Sequence, residues 1–361
     1  MIIGFVTAYS LNNPAGLERA TLDLLQALLL NDTVNTYFIY VKKGNGFGDA
    51  LSKYKNVQII EIGFGKLWKE FGLRFAPRAD VYIFNGFQVP FTFFPRRYAV
   101  IVYDFGYRTF FAPGLRSHVK RRLLDTLANL AFRRAQHIFA ISEYTKNEIV
   151  RLFAVAPKKI NIMYLGYTDM SVLPQQTVAG LTQPFFLFVG TLKQRKNPLS
   201  ALKAFAHFHK THPEYSLVLA GKPSRESVYH QEMLAIIDRQ RLHEKVVFVG
   251  RVSDQQLAWL YSNARALVFP SFLEGFGFPI LEAASCGTPV ITSNIGSLKE
   301  IAGEAALLVE PGDSGAIARA MQLVATDEKL RAKLIHKGKI RAGEFSWNTT
   351  AAQFLDVINL I

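Results

Sequence analysis

The stretch from Arg265 to Val290, RALVFPSFLEGFGFPILEAASCGTPV, leaves the chain few choices of architecture. Ala266-Leu267-Val268-Phe269 is short, continuous and apolar, the pattern of a strand buried on both faces of a parallel sheet. Pro279 suits the first turn of a helix, where its missing N–H costs nothing. Gly287 and Pro289 stop that helix before the next apolar run. The succession predicts a strand, a glycine turn, a helix and a second strand. The turn, Glu274-Gly275-Phe276-Gly277-Phe278, falls at the carboxyl end of the strand and the amino end of the helix. Open α/β sheets bind ligands there, and free N–H groups with the helix dipole favour phosphate.

Two carboxylates bracket this turn. Glu274 projects from the loop toward whatever the glycines cradle, and Glu282 lies one turn inside the helix. Paired acceptors beside an anion-holding dipole fit a molecule with both phosphates and hydroxyls, such as a sugar nucleotide. The plainer reading, in which Glu282 is a solvated helix residue and Glu274 only tops the loop, stays open on the pattern alone.

EGFGFPILE followed by AxxCGTPV, and then SNIGSLKEIAGEAALLVEPGD at 293–313, resembles the E-x7-E signature of glycosyltransferase family 4. That resemblance implies a GT-B fold: two Rossmann-like, doubly wound α/β domains facing across a cleft, with a C-terminal helix crossing back to the first. It also implies retaining transfer from a nucleotide-diphosphate sugar with no bound metal, Glu274 by the donor sugar and Glu282 on the ribose. The similarity is strong over the second half and weaker over the first. The expected domains are 1–168 on the acceptor side, a linker at 169–182, a nucleotide-sugar domain at 183–344 and the crossing helix at 345–361.

Composition agrees with a globular chain large enough for two cores: 361 residues, half of them apolar and 19% charged. The single cysteine, Cys286, excludes an internal disulfide and fits a reducing compartment; it reads as a small buried filler. The start, MIIGFVTAYS, reads as a strand and not a secretory leader. The longest uncharged run, Met170–Leu192, contains Pro174, Gly180 and Pro184 and is not a membrane span. A cytoplasmic protein, soluble or peripheral on the inner membrane face, is expected. With 42 basic against 28 acidic residues the net charge is +14, so an acidic partner is expected as well: anionic lipid, nucleic acid or diphosphate substrate.

Along the first half, strands are expected at 2–8, 37–41, 57–60, 81–84, 100–103 and 138–141, with a helix from Leu17 to Leu30. The loop Ser10–Gly16 precedes that helix. In the resembling family a glycine here lets the backbone approach the donor phosphates; this chain has Ala15-Gly16, and an ordinary strand–helix turn is nearly as good a reading. Asn85-Gly86 ends one strand and Tyr103-Asp104 another. The family commonly has His-Asp at the latter place, so Tyr103 is a departure that bears on the sugar contacts, and only Asp104 is kept. Ser142 reads as a helix N-cap.

Residues 64–97 interleave aromatics with cations, among them Phe64, Lys66, Lys69, Phe71, Arg74, Phe75, Phe91, Phe94, Arg96 and Arg97. A second basic patch, Arg116 with Lys120, Arg121 and Arg122, precedes a helical run at Leu123–Ala131. Basic segments with apolar neighbours suit an anionic membrane surface; a solvated face over an ordinary core is the alternative.

In the second half, Phe185–Val189 reads as a strand ending in Gly190-Thr191-Leu192-Lys193-Gln194-Arg195-Lys196-Asn197. A strand end followed by cations makes a diphosphate clamp. Lys196 matches the family lysine. Thr191 stands where the family has a basic residue, so Arg195 is expected to supply the second charge. Tyr215–Leu219 and Val246–Val249 read as strands, and Gly250-Arg251-Val252-Ser253 resembles the family loop whose backbone meets the base. His207, His209 and His212 lack metal-ligand spacing, and no Asp-x-Asp pair occurs, so no metal is expected.

The candidates are therefore Glu274, Lys196, Arg195 and Asp104 for catalysis, and Gly16, Gly190, Thr191, Gly250, Arg251, Gly275, Phe276, Gly277, Phe278 and Glu282 for the donor. Tyr103 and Asn85 fall on the acceptor side. The expected reaction is transfer of a hexose, mannose first, from GDP-mannose or a UDP-sugar to a saccharide, lipid-linked acceptor in surface-polysaccharide assembly. A same-fold nucleotide-sugar epimerase would turn the donor over without an acceptor. A non-enzymatic basic protein binding nucleic acid would explain the charge and leave the paired glutamates idle. The absence of Gly-x-Gly-x-x-Gly after any strand argues against a nicotinamide dehydrogenase.

Overall fold

A computed structural model describes residues 1–12, 16–110, 114–181, 184–223 and 227–360. Ala15, named in the sequence reading, lies outside the described residues, as do 182 and 183, where the expected linker meets the second domain. The chain divides into two compact units, Met1–Gly166 with Phe345–Ile361, and Tyr167–Glu344.

The first unit is built on a parallel sheet of β1 (Ile2–Val6), β2 (Thr36–Lys42), β3 (Val57–Ile62), β4 (Val81–Asn85), β5 (Tyr98–Val102), β6 (His137–Ala140) and β7 (Ile160–Ile162). Its order is β3-β2-β1-β4-β5-β6-β7. Continuous apolar runs occupy the middle of the sheet because helices cover both faces: every residue of YAVIV in β5 is buried. Ile3 sits in register between Tyr37 of β2 and Val81 of β4. The core is rich in aromatics, with Tyr40, Tyr82 and Phe84 stacked in a row.

The helix Trp347–Ile358 belongs to this unit. Ser346 caps it by accepting from Thr349 N, and Thr350 Oγ1 donates to the Tyr164 carbonyl at 2.8 Å. Phe354 stacks on Phe139 with ring centroids 4.9 Å apart, and Asn348 meets Asn31 of the helix Gly16–Asn31. The chain crosses back close beside its own exit: a Cβ built on Gly166 would lie 2.2 Å from the Trp347 backbone nitrogen.

The second unit has the parallel order β10-β9-β8-β11-β12-β13, made of β8 (Phe185–Val189), β9 (Ser216–Ala220), β10 (Val246–Gly250), β11 (Ala266–Phe269), β12 (Val290–Ser293) and β13 (Ala306–Val309). Leu267 of β11 lies between Leu187 of β8 and Val290 of β12. Fully buried side chains such as Phe186, Phe188 and Leu219 each contribute about 1.5–3 kcal/mol of burial. The segment 169–182, read as a linker, differs in part. Asp169 caps a short 3-10 turn over Met170–Val172, and Met170 is buried in the same cluster as Leu260 and Tyr261.

Two strands went unanticipated, β7 and β13. The basic patch read as preceding a helix lies within it, since that helix runs from Leu115 to Arg134. Lys and Arg are good helix formers, so a polar run gave no reason to stop it.

Candidate functional site

In each sheet the order reverses direction once. In the second unit the reversal falls between β8 and β11, and in the first between β1 and β4. The loops leaving the carboxyl ends of such strands diverge and open a crevice, which is where doubly wound sheets take ligands.

In the second unit the loop after β8 carries Arg195 and Lys196 and the loop after β11 carries Glu274. Glu274 is 7% exposed; its carboxylate lies 2.6 Å from Lys196 Nζ and 3.8 Å from an Arg195 guanidinium nitrogen. The two loops are pinned together by their backbones. Phe272 N donates to the Arg195 carbonyl at 2.9 Å, and Ser271 Oγ donates to the Lys196 carbonyl. Asn197 takes a left-handed conformation and caps the helix Pro198–Phe208, while its Nδ2 donates to the carbonyls of Pro270 and Pro311 at 2.9 and 2.7 Å. Lys196 is further held over the Phe269 ring, 5.1 Å from its centroid. Ser297 Oγ donates to the Glu274 carbonyl at 2.7 Å.

The glycine turn then delivers the chain into the helix Phe278–Ser285. Gly277 is its N-cap with φ 114°, and a Cβ there would come 2.8 Å from Leu298. No other residue fits that backbone and that space. Gly275 and Phe276 are buried, and the Phe276 and Phe278 rings lie 5.3 Å apart. Glu282, half-buried on this helix, accepts a 2.8 Å hydrogen bond from Tyr261 OH. Burial, and then the Glu282 charge, push the Tyr261 phenol well above its ordinary pKa, so it stays a neutral donor.

Of the remaining donor-side residues, Gly190 ends β8 with its N–H donating to the Ala220 carbonyl, and Thr191 beside it is exposed. Gly250 closes β10 and Arg251 follows, exposed; Ser253 with Gln256 forms a capping box on the helix Asp254–Asn263. In the first unit, Gly16 is exposed at the head of its helix, with nothing within 4 Å of where a Cβ would sit. His212 is packed by stacking on Phe208.

The first unit's switch point holds a cavity of about 300 Å³, lined by Tyr9, Lys69, Asn85, Gln88, Tyr103 and Asp104 among others. Tyr103 OH donates to Asn85 Oδ1 at 2.6 Å, and Asn85 Nδ2 donates to Thr21 Oγ1 at 2.8 Å. Burial, and then the neighbouring Tyr9, raise the Tyr103 phenol far above its ordinary range. The same holds for Tyr9, through burial and the charges of Glu18 and Asp104. Burial lowers the Lys69 pKa. Asp104 Oδ1 accepts from Gly106 N at 2.8 Å.

The structure thus brings Glu274, Lys196 and Arg195 together in one unit, and Tyr103, Asn85 and Asp104 together in the other. Sequence reasoning missed Asn197, Ser297 and Tyr261 in the second unit, and Tyr9 and Thr21 in the first; Lys69, read there as one of the surface cations, instead lines the cavity. Asn197 before Pro198 carried a turn signal; the others carried none. Cys286, expected to be buried, is half-exposed and lines a separate cavity of about 500 Å³ with Tyr167, Asp169 and Lys339; burial still raises its thiol pKa. Among the described residues no cluster of His, Cys, Asp and Glu could hold a metal ion.

Two parallel, doubly wound units, each with a site at its switch point, define the GT-B class. The protein from Anabaena called Alr3699/HepE, solved in complex with UDP and glucose, matches the chain with a TM-score of 0.75 over 99% of both chains; at 18% identity this speaks to the fold. Residues 169–341, just under half of the chain and all within the second unit, match the family model described as glycosyl transferases group 1. The O-antigen chain mannosyltransferase B of Escherichia coli is 32% identical over 236 residues, 63% of this chain and 61% of that protein. The O-antigen chain mannosyltransferase RfbU of Salmonella typhimurium is 29% identical over 218 residues, 60% and 58% of the two chains. The match therefore spans less than two thirds of the length of either relative.

Proposed function

We propose that this chain is a retaining glycosyltransferase that moves a hexose from a nucleotide-diphosphate sugar to a saccharide acceptor. The observation that carries the reading is the Glu274 carboxylate, held between Lys196 and Arg195 at the second unit's switch point. Two cations against one carboxylate leave spare positive charge beside the amino end of the helix Phe278–Ser285, which suits a diphosphate. As the glycosidic bond to the donor breaks, negative charge builds on the departing diphosphate. Lys196 and Arg195 neutralise it from positions already fixed by their loops, and preorganised charge of this kind is commonly the largest catalytic contribution. Glu274 holds the sugar, and Glu282, oriented by Tyr261, accepts from the ribose. The acceptor hydroxyl gives its proton to the leaving phosphate on the same face, so no separate histidine base is needed. The first unit's cavity, with Tyr103, Asn85 and Asp104, is assigned to acceptor recognition.

Mannose is the favoured sugar and GDP-mannose the favoured donor, supported by the two mannosyltransferase relatives; a UDP-sugar is the other candidate, given the neighbour solved with UDP and glucose. A lipid-linked saccharide in surface-polysaccharide assembly is the proposed acceptor, which would bring the chain to the inner face of the cytoplasmic membrane. No helix among the described residues is long and apolar enough to cross a membrane. Thermal-shift titration with GDP, UDP, GDP-mannose and UDP-glucose tests the reading, followed by determination of the product's anomeric configuration. No stabilisation by any of the four, or an inverted product, refutes it.

A further inference from the structure

We infer that the outward face of the helix Leu115–Arg134 is a docking surface for an anionic lipid bilayer. The inference names the surface by which the peripheral-membrane reading above would be realised, and it does not depend on the donor assignment. Leu115, Val119, Leu123 and Leu130 are 81%, 59%, 57% and 42% exposed. At 3.6 residues per turn these four fall within an arc of about 80°, so they form one apolar stripe along the helix. Exposed cations border it on both sides: Arg116 and Lys120 along one edge, Arg122 and Arg133 along the other. The inward face is a different surface, where Ala128, Ala131 and Phe132 enter the core.

The helix has a single acidic residue, Asp125, and it is engaged locally. Its carboxylate lies 2.8 Å from Arg108 and accepts from Tyr107 OH at 2.6 Å. The helix thus contributes cations but no unengaged carboxylate beside the outward stripe. An apolar strip between two cationic borders is the geometry of a helix lying in the headgroup plane, with its aliphatic side chains in the acyl boundary and its cations on lipid phosphates. Duplex nucleic acid would use the cations but would bury four aliphatic side chains against a charged backbone. Soluble monomers seldom leave such a patch uncovered without a function for it.

A second set of exposed apolar residues is connected to the end of the helix. Arg134, at the end of the helix, lies over the Phe94 ring at 4.4 Å. Phe91, on the same loop as Phe94, is hydrogen-bonded through its N–H to Glu70 at 3.0 Å, and Glu70 sits in the segment carrying the exposed Phe64, Phe71 and Phe75. That segment brings its own exposed cations, Lys66 and Arg74. Arg134 and Glu70 thus link the end of the helix to these aromatic loops.

The test is co-sedimentation with vesicles of phosphatidylcholine alone and of phosphatidylcholine with phosphatidylglycerol, at low and high salt. The wild type is expected to bind the anionic vesicles and to release them as salt rises. The pair Lys120→Gln and Arg122→Gln removes two cations, at about fivefold each, and should weaken binding about 30-fold. The pair Val119→Asp and Leu123→Asp should abolish it without lowering the melting temperature. Equal binding to neutral vesicles, or variants that bind like the wild type, overturns the inference. So does a wild-type dimer that the Asp pair dissociates while vesicle binding persists, or salt-sensitive binding to duplex DNA in place of vesicles. If the Asp pair unfolds the unit, Leu123→Trp serves instead: emission that does not shift to shorter wavelength on adding anionic vesicles overturns it equally. Nucleotide-induced thermal shifts on the same samples report the donor reading separately, so either can fail alone.

Discussion

Lys196→Met and Glu274→Gln dismantle the same ion pair from opposite ends, and the structure makes them differ in sign. At an effective dielectric of about 20, the gross attraction of Glu274 is about 6 kcal/mol to Lys196 at 2.6 Å and about 4 kcal/mol to Arg195 at 3.8 Å. Lys196 therefore supplies the larger share. The side chains are 17% and 7% exposed, so little solvent can step in when one is lost. Removing one member of such a pair costs about 3–5 kcal/mol. For a unit of this size that is a fall in Tm of about 2–4 °C per kcal/mol.

Lys196→Met also removes a charge-assisted contact to the diphosphate, worth about 1.5–3 kcal/mol, or roughly 10- to 150-fold in Kd. Glu274→Gln destabilises the free protein as well, because it takes the carboxylate from between two cations. A bound diphosphate restores the missing counter-charge. GDP or UDP should therefore bind this variant at least as tightly as the wild type and raise its Tm by more, while sugar transfer falls. Isothermal titration with GDP and UDP, run beside a turnover assay, reads both quantities. Equal losses of nucleotide binding in the two variants, or a Lys196→Met protein that binds like the wild type, would falsify the claim that Lys196 faces the diphosphate.

Glu282→Ala should raise the donor KM with little change in kcat, since a ribose contact is made equally in the ground and transition states; a selective fall in kcat removes that assignment. Gly166→Ala places a Cβ 2.2 Å from the Trp347 nitrogen and should unseat the helix Trp347–Ile358, seen as faster amide exchange in that helix; unchanged exchange refutes the close approach. Asp32 gives an acid-sensitive contribution. Burial raises its pKa, but hydrogen bonds from Tyr37, Asn35 and Val34 win and hold it below the ordinary value. Its stabilisation is therefore complete above the unfolded pKa and is lost as pH falls through the folded one. Asp32→Asn should flatten the acid limb of the stability curve, and a limb of unchanged slope counts against it.

What the sequence disclosed follows from how each feature is encoded. The turn at Glu274–Phe278 was legible because an apolar run, a glycine with positive φ and a proline in the first helical turn sit within a few positions of one another, and each is a local requirement. β7 was not: Ile160–Ile162 is three residues long with Lys158 and Lys159 just before it, too short to show a period. Nor was the partner of Glu282, because Tyr261 lies on the preceding helix, Asp254–Asn263, 21 residues away in sequence. The first unit's cavity was half legible. Asn85 and Tyr103 could be placed at the ends of two strands, but only their adjacency as β4 and β5 explains why the phenol donates to the amide. That adjacency gives the departure at Tyr103 its physical meaning. The family's histidine there would change charge near neutral pH, whereas the buried phenol, fixed to Asn85, stays neutral and offers fixed hydrogen-bonding geometry. Recognition by this pair works through shape and hydroxyl contacts, so the part of any sugar or acceptor preference set by Tyr103 and Asn85 should be insensitive to pH across the neutral range.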